Sequence, residues 1–146
     1  MINSNELINM NSNDEKDMKK IKELVSLISG NRGRECYYIL CCAVEIALAY
    51  QPAEPQMKLI CVETSKITGK TIRSIEKSVS RVADDIWRHG NRDALNRIFK
   101  TTLTQKPKPK NLICSLSEYL WINTAASAIK DDIIWISTVF ILYNLC

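Results

Sequence analysis

Between residues 71 and 89 the apolar positions Ile72, Ile75, Val79, Val82, Ala83 and Ile86 recur at spacings of three and four. At ~100° per residue they fall on one narrow stripe, which predicts an amphipathic helix with a buried face. Arg73, Lys77, Arg81 and Arg88 occupy the opposite side of the same wheel. Asp84 and Asp85 sit in the second half, so only the stretch from Lys70 to Arg81 is suited to approach a polyanion. Leu59, Ile60, Val62, Ser65 and Ile67 form a shorter apolar-containing segment just upstream, before a break at Thr68 and Gly69. Gly69 takes a positive φ without steric cost, and Thr71 is placed to cap the longer helix. The pattern therefore predicts two helices joined by a tight turn.

The other periodic segments predict scaffold. Met18, Ile21, Leu24, Val25 and Ile28 make a helix face that ends at Gly30. Residues 36 to 50 are apolar on nearly every side, which predicts a central buried helix, stopped by Pro52 and Pro55. A short helix from Asn91 to Lys100 turns Leu95, Ile98 and Phe99 inward, and a loop with Pro107 and Pro109 follows it. A last helix from Leu112 to about Ala128 points Leu116, Tyr119 and Leu120 inward. Residues 1 to 17, polar and rich in asparagine, read as a flexible arm. Residues 133 to 146 are almost wholly apolar. A packed extra helix or strand is the favoured reading of that tail. A self-association surface and a membrane anchor stand behind it, the anchor disfavoured because a span needs ~20 apolar residues.

Charge sharpens the picture. The chain of 146 residues has a formal net charge of +4. Residues 58 to 110 hold 13 Lys and Arg against 5 Asp and Glu, while the segments on either side each carry a net −2. The excess positive charge is thus confined to the central third, around the amphipathic helix. Length and the 46% hydrophobic content fit a single core.

Other chemistries find little footing. Gly69-Lys70-Thr71 resembles the end of a phosphate-binding loop, but Thr64 stands where its first glycine belongs and no strand pattern precedes it. Six cysteines, at 36, 41, 42, 61, 114 and 146, show no Cys-x-x-Cys spacing and read as reduced, buried residues of a cytoplasmic protein. The single histidine, His89, lacks a ligand set for zinc and a nucleophile partner for catalysis, and instead suits the C-terminal end of the amphipathic helix. The expectation is a protein with no enzymatic activity, no metal, no cofactor and no small-molecule substrate.

Several landmarks, in order over about ninety residues, resemble the C-terminal DNA-binding effector domain of the sporulation initiation response regulators, the stage 0 sporulation protein A family. Tyr37, Leu40, Ala43 and Val44 are similar to that family's Tyr-x-x-Leu-x-x-Ala-Ile helix. Thr71, Ile75 and Glu76 resemble the start of its recognition helix, and Trp87-Arg88-His89-Gly90-Asn91 its Trp-Ser-Arg-Gly-Asn end. Phe99 and the run Lys106, Lys108, Pro109 and Asn111 resemble its following short helix and Lys-x-Lys-Pro-x-Asn loop. The resemblance implies an all-α fold, a bundle of about six helices containing a helix-turn-helix, with residues 18 to 128 as the effector domain and 129 to 146 as an apolar extension.

It also implies site roles. The recognition helix, about 71 to 89, would enter the major groove of double-stranded DNA. Glu76 would accept from a cytosine amine, and Lys77 would offer a single ammonium to guanine where the family has an arginine. Ser74 and Ser80 stand at family arginine positions, with Arg73 and Arg81 one residue away. Lys106, Lys108 and Lys110, with Lys70 at the turn, would grip phosphate. In that family the effector follows a receiver domain that is phosphorylated on aspartate; nothing in these residues resembles one, so phosphorylation in cis is not expected. The expected function is transcription regulation through DNA. The alternative is a protein-interaction module of the same fold that dimerises or modulates a full-length regulator.

Overall fold

A computed structural model describes residues 4–31 and 33–144, with side chains described for 14–31, 33–124 and 139–144. The described residues form six helices, α1 (Ser4–Ile28), α2 (Arg34–Tyr50), α3 (Met57–Thr68), α4 (Ile72–His89), α5 (Arg92–Phe99) and α6 (Pro109–Asn144), with no strand among them. The expected all-α bundle is the observed architecture.

α2 is the axis of the bundle. It packs against α1, α3, α4 and α6, and Ile39, Leu40, Ala43, Val44 and Ala47 are fully buried. A helix with four neighbours needs apolar residues on almost every side, which is the composition of residues 36 to 50. Around it close Ile21 and Ile28 of α1, Ile60 of α3, the α4 stripe, Leu95 of α5, and Leu112, Ile113 and Leu116 of α6. Each such residue contributes about 1.5–3 kcal/mol relative to exposure, so the core is sufficient for one domain.

Two boundaries differ from expectation. The segment read as a flexible arm is helical from Ser4, continuous with the α1 face that packs on α2. The apolar extension is no separate helix or strand: α6 runs unbroken for 36 residues. The reason is the same in both places. Neither Gly nor Pro occurs between Met1 and Ser29 or after Pro109, so nothing interrupts a helix once the packed part has nucleated it. Nor does the described end of the tail pack on the body, since Val139, Phe140, Ile141, Leu142 and Tyr143 are all exposed. No helix of the described residues is long and apolar enough to cross a membrane.

Candidate nucleic-acid interface

The α3–α4 connection is organised by the residues the sequence singles out. Gly69 ends α3 at φ +71°, in the left-handed region, and its N–H donates to the Ser65 carbonyl. A Cβ at Gly69 would meet nothing within 4 Å, so glycine is required there for backbone conformation rather than for space. Thr71 then caps α4, its Oγ1 accepting from the Ser74 N–H at 3.2 Å. The Ser65 hydroxyl donates to the Lys70 carbonyl at 2.6 Å, and the Lys70 N–H donates to Thr68 Oγ1 at 3.3 Å. The turn is thus closed by short side-chain bonds to its own backbone, which fixes the direction in which α4 leaves it.

α4 has the segregated faces its periodicity predicts. Ile75, Val79, Val82, Ala83 and Ile86 are buried. Ile72 is the exception at 40% exposed, because it is the first helical residue and extends past the edge of the core. Arg73, Glu76, Lys77, Ser80 and Arg81 are exposed, Ser74 is half-buried, and no ion pair engages Arg73, Lys77 or Arg81 among the described residues. The first half of α4 therefore presents three free cations around one carboxylate and one hydroxyl.

The two aspartates of the second half have separate fates. Asp84 is partly exposed and lies 3.3 Å from Arg88 Nε and 3.7 Å from Lys106 Nζ, so its charge is balanced locally. Asp85 is buried, on the inner side of α4, and does not belong to the outer surface as the charge pattern suggests. Its Oδ2 accepts from the Tyr37 hydroxyl at 2.6 Å and its Oδ1 from the Asn31 N–H at 3.2 Å. The Tyr37 oxygen in turn accepts from the Gly30 N–H at 2.7 Å. Burial, followed by the bond to Asp85, pushes the Tyr37 phenol well above its ordinary value, so it is the neutral donor at any physiological pH. This node ties the end of α1, the start of α2 and the second half of α4 into one unit. Sequence reasoning missed it, although Tyr37 stood among the family landmarks; the signal that pointed to it was an aspartate beside the apolar stripe.

Glycines allow the same close approach. A Cβ on Gly30 would collide with the Asp85 carboxylate, and one on Gly90 with the Ile28 and Ile86 carbonyls. Gly90 has an ordinary φ of −85°, so it is glycine for space. Beyond it Asn91 caps α5, its Oδ1 accepting from the Ala94 N–H at 3.1 Å. Arg92 lies over the Trp87 ring, 3.2 Å from its centroid, and donates Nη2 to the Trp87 carbonyl at 2.6 Å. The Trp87–Asn91 run is thus the device that ends α4 and starts α5.

The expected phosphate-gripping lysines are not gathered into one cluster. Lys70 pairs with Glu35 at the start of α2, at 2.5 Å, and holds that carboxyl below its usual range. Lys106 is turned to Asp84, and Lys110 lies 3.9 Å from Glu54 in the α2–α3 connection. Lys108 is exposed and in no ion pair among the described residues. Lys106 is thereby the loop residue that the structure places directly beside α4.

Four of the cysteines lie in the core. Cys41, Cys42, Cys61 and Cys114 are buried and free, and burial raises each, Cys41 to about 11. They stay protonated and weakly nucleophilic at neutral pH. Among the described residues no group of three or more His, Cys, Asp or Glu is arranged to hold a metal ion. No family model matches the chain, and no curated protein matches it.

Proposed function

We propose that this chain binds double-stranded DNA in a sequence-specific way as a non-enzymatic transcription regulator of the sporulation effector type, with α3 and α4 as its helix-turn-helix. One observation carries the reading: the exposed face of the first half of α4, where Arg73, Lys77 and Arg81 flank Glu76 and Ser80 and pair with no carboxylate among the described residues. The first turns of α4 are exposed on that face, as they must be for a recognition helix to offer its N-terminal residues to base edges. The dipole of that N-terminus favours a polyanion too. Glu76 and Lys77 read bases, Arg73 and Arg81 read bases or hold phosphate, and Ser74 and Ser80 add hydroxyls that bond either. Lys70, Lys106 and Lys110 sit in solvent-exposed ion pairs, which water and salt weaken and which a phosphate can displace.

The test is fluorescence anisotropy on a duplex carrying the recognition box of the sporulation regulator family and on a scrambled duplex, across a salt series. Preference for the box and a log-log salt slope of several units are the expected results. Glu76→Ala or Lys77→Ala should then lose about 1–3 kcal/mol of discrimination at one base position. Equal, weak binding to both duplexes overturns the reading and favours the interaction module.

A further inference from the structure

The free end of α6 points to a different kind of partner. The helix joins the core through Leu112, Ile113, Leu116, Tyr119 and Leu120, all in its first third. Val139 lies 19 residues beyond Leu120, or ~28 Å further along the helix. There Val139, Phe140, Ile141, Leu142 and Tyr143 are between 44% and 80% exposed. Five successive residues at ~100° each pass round the whole circumference, so the end is apolar on every side. A surface of this kind does not normally remain in water.

We propose that the free end of α6 is a self-association element whose partner is the same segment of a second copy of this chain. Charge is the first argument. No Asp, Glu, Lys or Arg follows Asp132, so identical segments meet without repulsion, whereas the central third of the chain is strongly basic and repels its copies. Shape is the second. A groove on an unrelated partner covers one stripe of a helix, at positions i, i+3, i+4 and i+7. Like helices packed side by side cover more of the circumference, as in a bundle. Area is the third. The five side chains leave on the order of 500 Å² of surface per copy all round the helix, so a pair covers part of it and further copies bring the buried total toward the ~1,000 Å² that a specific interface needs. A bilayer is the poorer occupant, because no helix of the described residues is long and apolar enough to cross one.

The inference does not depend on DNA binding, and its test contains none. Sedimentation equilibrium of the full chain, from low to high micromolar, should show a mass that rises with concentration to a multiple of the 16.7 kDa protomer. Phe140→Glu combined with Leu142→Glu should lower the association constant at least about tenfold. Both residues lie outside the core, so circular dichroism should show the helical body of the variant unchanged. Should that variant fail to fold, Ile141→Ser with Tyr143→Ser replaces it in the same measurement. A wild type that is monomeric throughout overturns the proposal, as does association that survives both pairs of substitutions. Flotation of a monomeric wild type with phosphatidylcholine vesicles would overturn it in favour of a lipid surface.

Discussion

α4 and the free end of α6 are both regular helices that carry several large apolar side chains, yet they sit in the molecule in opposite ways. In α4 the apolar residues fall on one stripe and the cations on the other side, so the sequence already says which face meets the core. At the end of α6 apolar residues follow one another without interruption, and no face is marked as inner or outer. Segregation therefore specifies a position, whereas uniform hydrophobicity specifies only that a neighbour is needed. The same composition on every side describes α2, but there four helices close around it. The difference between a core helix and an unpaired one is in the surroundings.

Truncating one large apolar side chain in each region breaks this comparison most sharply. Ile75→Ala removes a fully buried side chain and should cost about 3 kcal/mol of unfolding free energy in urea titrations. Leu142→Ala removes one that is 60% exposed and should change the stability of a monomer by less than about 0.5 kcal/mol. Equal losses would mean that the α6 end is packed within its own chain.

A smaller effect is expected at the node that orients the second half of α4. Tyr37→Phe leaves the Gly30 N–H and an Asp85 oxygen without their bonds to the hydroxyl, and should cost about 2 kcal/mol. Because the phenol is raised above its ordinary value in the folded state, that state holds its proton more tightly than the unfolded chain. The contribution is complete below pH ~10, the ordinary tyrosine value, and is lost as the pH rises above it. Thermal melts across that range should therefore fall more steeply for the wild type than for Tyr37→Phe, and parallel curves would deny Tyr37 this part.

The smallest of these effects concerns the turn. Thr71→Ala removes the cap on the Ser74 N–H and should cost about 1 kcal/mol in the same titrations. It should leave α3 and the core unaltered, because Thr71 is exposed. A negligible loss would show that the start of α4 is held by its buried stripe alone.

Much of this architecture is legible in the sequence. Gly69 and Thr71 announce the turn, the stripe from Ile75 to Ile86 announces α4, and Pro52 and Pro55 mark the end of α2. These are local effects: a positive φ, a cap, a helical period and a missing N–H act within a few residues of their cause. The candidate interface is legible for the same reason, since Arg73, Glu76, Lys77, Ser80 and Arg81 are exposed wherever the stripe is buried. The node is a different matter. Asp84 and Asp85 are adjacent and identical, and one is paired with surface cations while the other is drawn inward by Tyr37 and Asn31, 48 and 54 residues away. The lysines after α5 divide similarly, Lys106 to Asp84 and Lys110 to Glu54.

By itself the sequence determined six helices, the basic character of the central third and the buried side of α4, because periodicity, propensity and net charge are properties of neighbouring residues. Only the tertiary structure decided that Asp85 is internal, that Gly30 and Gly90 are required for space, that Lys70 is engaged by Glu35, and that α6 continues beyond the body with its apolar end unburied. Each of these depends on which distant segment arrives alongside, and that is settled by packing the whole core at once.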